Sequence, residues 1–183
     1  DLFDFNVAKE SERGLLGIAV LDISKTKHAG NYGPNDKFVF LFVTETENED
    51  NGKILGNRVY RFDFVNDTLV NPVLLLDLPY LPGPSQNGGV MKIGPDNNLY
   101  IIMGDLNRLK DPTGDTIASN LEGSSLPDGR GGVLRITPDG ETVNDGFTLG
   151  KGGLLDKYYG YGVRNSFGIG FDSITGYLWD TEN

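Results

Sequence analysis

The feature that most constrains what this chain can fold into is an internal repeat. Three segments share an apolar run, an Asp-led turn and a second apolar run: GIAVLDISK followed by KFVFLFVTE, then GGVMKIGPDNNLYIIMGD, then FGIGFDSITGYLWDTEN. Their turn residues Asp22, Asp96 and Asp172 lie 74 and 76 residues apart. A second marker, Arg61 in NRVYRFDF and Arg135 in GGVLRIT, also repeats after 74. Two independent markers with one spacing point to a repeated supersecondary unit rather than to chance likeness between glycine-rich strands.

Inside each unit the signals are those of strands. Phe38 to Val43 is an unbroken aromatic and β-branched run, as in a strand buried on both faces. From Asn57 to Phe64 the aromatics Tyr60, Phe62 and Phe64 fall on one parity and Val59, Arg61 and Asp63 on the other, which predicts one packed face. Pro95-Asp96-Asn97-Asn98 and Pro138-Asp139-Gly140 read as turns between adjacent strands, because Pro presets φ and Asn or Gly accepts left-handed φ. No segment carries a capped helical stripe. The expected fold is all-β, a propeller of four-stranded antiparallel blades.

A four-stranded blade needs about 40 residues, so a longer period leaves room for loops at 25–36, 45–56, 106–130 and 139–158. Binding sites are commonly built on such loops. The blades are expected near 14–80, 86–158 and 161–183, so residues 1–183 make a partial propeller of two to three blades. Rings of this kind close with about four to eight blades. The chain is therefore expected to be a piece, completed by the remainder of the propeller or by a complementary chain. It opens on Asp1 rather than Met, so whatever precedes it, and any address it carried, is not legible.

Charge narrows the partners. With 16 Lys and Arg against 26 Asp and Glu the chain carries −10, which argues against a nucleic-acid partner, since phosphate backbones demand clustered positive charge. The longest strictly apolar run, 38–43, falls far short of the ~20 residues a membrane span needs. There is no Cys, which excludes disulfides, thiolate zinc sites and a Cys nucleophile. The acidic stretch 45–52 resembles a cation loop, but Arg58 stands where a bidentate Glu would close an EF-hand, so a solvated hairpin loop is expected. Trp179-Asp180 is not a WD40 signature, because that repeat recurs at about 40 residues. Asn66-Asp67-Thr68 is a lone glycosylation sequon of a kind that also arises by chance.

Three places gather chemistry where a propeller's inner strands begin: 82–89 (PGPSQNGG), Asp105 in MetGlyAsp, and 161–165 (YGVRN). Plain structural readings stand beside a ligand site here: Gly88-Gly89 as a bulge, Asp105 as a turn cap and Arg164 as an ion-pair partner.

ERGLLGIAV (12–20), GPSQNGGVMKIGPDNNLYIIMGD (83–105), GRGGVLRITPDG (129–140) and YGVRNSFGIGFDSITGYLWDTEN (161–183) together resemble the soluble quinoprotein glucose/sorbosone dehydrogenase family, six-bladed propellers related to aldose sugar dehydrogenases. The resemblance implies oxidation of a small sugar at C1, with pyrroloquinoline quinone as hydride acceptor and Ca²⁺ assisting. By family motif, Arg164 and Asn165 would contact the anionic cofactor, Asp105 would orient the general base, and Glu12 would face the sugar. The calcium ligands and further basic cofactor contacts would lie beyond residue 183, so no metal ligand is assigned within the chain. The family's base is a His at the position of Gln86, and Gln cannot accept a proton there. The resemblance thus implies weak or lost activity that Gln86→His would restore, or alternatively a non-catalytic extracellular propeller serving as a carbohydrate-binding or structural module. The chain's one His, His28, does not align with that base and is expected in a solvated loop. Members work outside the cytoplasm, so an extracellular or periplasmic location is implied.

Overall fold

A computed structural model describes residues 3–26, 31–48, 52–107 and 127–183. Strands β1 (Leu15–Asp22), β2 (Lys37–Thr46), β3 (Ile54–Val65) and β4 (Thr68–Leu78) form one antiparallel sheet in that order. A second sheet has the same plan: β5 (Gly88–Ile93), β6 (Leu99–Met103), β7 (Gly132–Ile136) and β8 (Tyr158–Tyr161). Strands β9 (Ser166–Phe171) and β10 (Leu178–Glu182) pair as a hairpin. Among the described residues the helical elements are single 3₁₀ turns, at Ile23–Lys25 and Leu155–Lys157.

The repeated aspartates do the same work in each unit. Asp22, Asp96 and Asp172 each accept a backbone N–H from the residue two further on, Ser24, Asn98 and Ile174, at 3.1, 3.2 and 2.7 Å. Each bond closes an Asx turn just after the first strand of its unit. Arg61 and Arg135 also occupy equivalent places: on the third strand of each sheet, they pair across to Phe40 and Tyr100 of the second.

Packing follows strand parity. Phe38, Phe40 and Phe42 of β2 join Val59 of β3 in facing the second sheet, where Met91, Leu99, Ile101, Met103, Leu134 and Ile136 meet them. The opposite parity of β2, Val39 and Leu41, packs with Phe62 and Leu69 beneath Phe5. Phe3 and Phe5 set their rings 4.7 and 5.9 Å from Phe62. β2 is thus covered on both faces, as its unbroken apolar run predicts. β3 departs from the single packed face expected of it, because the sheet lies between two layers and Val59 is buried on the side opposite Phe62. The second sheet is likewise covered twice: Tyr100, Ile102 and Val133 pack on Ile169, Phe171 and Leu178 of the hairpin. The sheets therefore stack face to face in chain order, with first strand beside first strand, β1 along β5 and β5 along β9. That is how consecutive propeller blades are arranged about an axis.

Two of the expected loops come out differently. The 45–56 loop is shorter, because β2 runs to Thr46 and β3 starts at Ile54, where Glu45 carries an ion pair to Arg58 at 3.0 Å and accepts the Tyr60 hydroxyl. Pro138–Gly140 does turn the chain, but not into the next long strand. After one bridge, Ile136 to Thr142, the chain continues to the 3₁₀ turn before β8. The turn instead joins the two sheets: Asp139 accepts the Tyr32 hydroxyl and is ion-paired with Arg61, whose guanidinium lies 4.9 Å over the Phe38 ring. Most of the 106–130 loop, and His28, lie outside the described residues.

A buried polar network joins the first two sheets near their first strands. Asn57, fully buried, accepts the Thr44 hydroxyl at 2.6 Å and donates to Pro79 O at 2.8 Å and to Asn87 Oδ1 at 3.1 Å. Asn57→Ala should therefore destabilise the protein by about 1–3 kcal/mol, because it strands buried partners. Urea unfolding with an unchanged m-value checks this. The Arg135 guanidinium holds the Asp145 carboxyl below the usual Asp range, and the backbone N–H groups of Thr175 and Ile174 do so for Asp172. Both contribute stability above the ordinary Asp pKa that is lost as pH falls through their lowered values.

Candidate functional site

Three loops, two leading into first strands and one leaving a second strand, meet at one end of the stack. The segment before β5 brings Gln86, the residues after β6 bring Asp105, and those before β9 bring Arg164 and Asn165. Glu12, three residues before β1, completes the group.

Backbone geometry ties these loops together. Gln86 has φ of 60°, and its carbonyl accepts the Leu106 N–H at 3.1 Å. The Asp105 N–H donates to Arg164 O at 3.0 Å. Gly104 makes the approach possible: a Cβ there would sit 2.0 Å from Gln86 O and 3.0 Å from Arg164 O. Gly89, at φ of 96°, lets β1 lie against β5, since its Cβ would meet Leu16 Cβ at 2.4 Å. The pairing of β5 with β6 also shifts register between Gly88 and Met91, the bulge the two glycines suggested.

One backbone N–H and one side-chain amide converge on the Glu12 carboxylate. Glu12 Oε2 accepts the Gln86 backbone N–H at 2.5 Å and the Asn165 side-chain amide at 3.3 Å. It thereby holds residues 74 and 153 positions away in sequence. Asp105 is buried and its Oδ1 caps the Asn107 N–H at 2.9 Å, the turn-cap role read from sequence. Arg164 directs one guanidinium nitrogen to Asn183 O at 2.9 Å. Two acceptors are left over. Gln86 Oε1 and Asn165 Oδ1 are buried without a hydrogen-bond partner, on residues only 7 % and 2 % exposed.

The structure thus brings all five sequence-selected residues into one cluster. It also adds two that were not singled out. Glu182 Oε1 accepts the backbone N–H groups of both Arg164 and Asn165, at 2.7 and 2.8 Å, and so sets the entry to β9. Asn87, fully buried, donates to Pro84 O at 2.6 Å and links the Gln86 loop to Asn57. Glu182 lies within the WDTEN motif, whose position was the one available signal. Asn87 carried no signal toward Asn57, which lies 30 residues away.

Chemically the cluster is rich in acceptors. Unsatisfied buried acceptors cost free energy unless a ligand supplies donors, so this arrangement suits a molecule that presents several hydroxyl groups. Arg164 adds one cation able to take an anionic group. Among the described residues no three His, Cys, Asp or Glu converge as a metal site, and no helix is long and apolar enough to cross a membrane.

A profile of the glucose/sorbosone dehydrogenase family matches residues 3–183. The chain belongs to this family. Over 175 residues it is 28% identical to quinoprotein glucose dehydrogenase B of Acinetobacter calcoaceticus, a match covering 88% of this chain and 34% of that protein. It superposes with TM-score 0.71 and 26% identity on an oxidoreductase (glucose dehydrogenase) of Thermus thermophilus, covering 98% of this chain and 47% of that one. With the PQQ-bound aldose sugar dehydrogenase of Streptomyces coelicolor the TM-score is 0.64 at 27% identity, covering 97% and 44%. This glucose/sorbosone dehydrogenase family chain therefore spans a third to a half of the length of these relatives, and its sheets form part of their propeller-type fold.

Proposed function

We propose that this cluster is part of the sugar-oxidising site of a quinone-dependent aldose dehydrogenase. The observation that carries the reading is the Glu12 carboxylate held by two loops, with Gln86 Oε1 and Asn165 Oδ1 left as buried acceptors beside it. Hydroxyl groups of an aldose would satisfy those acceptors. Arg164 fits an anionic cofactor, since pyrroloquinoline quinone carries carboxylates that a guanidinium binds through paired donors. When bound, that quinone supplies the hydride acceptor for C1 of the sugar. The chain's own residues bind and orient: Gln86 takes a sugar hydroxyl, as does Asn165, which the family motif would set against the cofactor and whose free acceptor suits a hydroxyl instead; Arg164 holds the anionic group, and the Asp105 N–H fixes the loop after β6 against that before β9. Calcium, if used, would be held by residues beyond 183. The outer face of the first sheet, where Ile18 and Val20 are 64 % and 57 % exposed, would be covered by the remainder of the propeller or a complementary chain. Its working place, by the family resemblance, is outside the cytoplasm.

Quinone titration by absorbance in the presence of Ca²⁺, followed by aldose-dependent dye reduction, tests the reading. Arg164→Ala should weaken quinone binding by about 10- to 100-fold, the loss of a charge-assisted contact. Gln86, which lacks a usable pKa, favours a second reading, a sugar-binding module without turnover. Sugar binding with neither quinone binding nor dye reduction would establish that module instead.

A further inference from the structure

Oxidising a hydroxyl needs a group to take its proton, and residue 86 is an amide. We propose that Glu12 is the proton acceptor of this site; the inference rests on the dehydrogenase reading above. Among the described residues of the cluster the carboxylates are Glu12, Asp105 and Glu182. Asp105 caps the turn at Asn107, and Glu182 spends an oxygen on the backbone N–H groups that start β9. Glu12 alone touches both residues that carry the orphaned acceptors, Gln86 and Asn165. Both of its hydrogen bonds fall on Oε2. They orient the carboxylate while leaving Oε1 outside the hydrogen-bond network of the described residues. The residue is half-buried, so a ligand can reach it. The charged groups around it are Arg164 and Glu182 on the β9 side, Asp105 on the β6 side, and Arg13, which is already paired with Glu10 at 3.0 Å.

A carboxylate held this way can do what the amide of Gln86 cannot. The C1 hydroxyl gives its proton to Glu12 Oε1, and the O–H electron pair becomes the second C–O bond. The C1 hydrogen leaves with its own pair to the quinone, the oxidant of the reading above. The aldose loses two electrons and becomes its lactone. Gln86 Oε1 and Asn165 Oδ1 accept neighbouring hydroxyls and keep C1 turned toward Glu12.

The decisive variant is Glu12→Gln, which preserves shape and removes the ionisable group. In the quinone-loaded protein kcat with D-glucose should fall by about 10²–10⁴-fold while KM stays within about threefold. Adding Gln86→His to Glu12→Gln should recover at least about tenfold, because an imidazole restores a base and a merely structural lesion would not respond. Binding of D-glucose to the quinone-free protein gives a readout independent of turnover. The pH dependence of that affinity should differ between the unsubstituted protein and Glu12→Gln, which keeps the shape of the side chain and lacks its ionisable group. Turnover retained by Glu12→Gln, or superimposable pH profiles of sugar binding, would overturn the inference. Absence of quinone binding and turnover in the unsubstituted protein is a different result: it removes the dehydrogenase reading, and the comparison of sugar binding between the two proteins still decides whether Glu12 stands against the sugar.

Discussion

Truncating Phe42 to alanine is expected to destabilise the protein by about 3–5 kcal/mol, among the largest effects any single core substitution can have. The ring is fully buried in the layer between the first and second sheets, in the cluster that also contains Met91, Met103 and Leu134. It lies close to Gly89, whose Cβ would come within 3.3 Å of Phe42 Cδ1. Removing it deletes transfer free energy and leaves a cavity between two stiff sheets that can collapse only partly. Because the cavity opens beside the β1–β5 approach, the placement of Glu12 against Gln86 should loosen as well. Equilibrium denaturation measures the first effect and D-glucose affinity the second. A loss below about 1 kcal/mol would mean that the two sheets do not share this core.

The second large effect is expected at Gly104, and it should fall on function more than on stability. Its Cβ would stand 2.0 Å from Gln86 O and 2.7 Å from Gln86 C, with Arg164 O at 3.0 Å. All three obstacles are backbone, which cannot swing aside as a side chain can. Gly104→Ala must therefore move the Gln86 and Arg164 loops apart. Displacements of about 1 Å at a reacting centre cost about 100-fold, and kcat/KM or sugar affinity should fall by that order. Gly160→Ala is the matched control, since nothing lies within 4 Å of a Cβ there, and it should behave as the unsubstituted protein. Equal behaviour of the two variants would show that the juxtaposition of residues 86 and 164 has no bearing on activity.

Legibility in the sequence followed the range of the interactions involved. The Asx turns at Asp22, Asp96 and Asp172 close on residues two positions away, so their spacing could be read directly. The burial of β2 on both faces was legible in 38–43 because a strand wetted on one side would alternate. The turn at Pro138–Gly140 was legible as a turn but not as the place where Asp139 meets Arg61 and Tyr32. Those partners are 78 and 107 residues away, on β3 and in the turn before β2. The double packing of β3 was hidden for a similar reason: Val59 on the parity of Arg61 and Asp63 looks solvent-facing until a second layer is set against it.

The candidate site divides along the same line. Gln86, Asp105, Arg164 and Asn165 could be selected because each sits in a motif at a strand entrance or exit, and Glu12 through the family resemblance alone. Their relation to one another could not. That Glu12 would bind the Gln86 N–H and the Asn165 amide, and that two acceptors would be left buried, depends on how closely neighbouring sheets approach and at what angle.

What the sequence determined by itself was the strand content, the period of the repeat and the turns, since alternation and turn chemistry act between residues a few positions apart. What only the tertiary structure decided was which carboxylate joins the loops of separate units. Glu12 is held by the Gln86 N–H and the Asn165 side-chain amide from two other units, whereas Asp105 and Glu182 bind backbone N–H groups of their own units; the face-to-face packing of the sheets sets that difference.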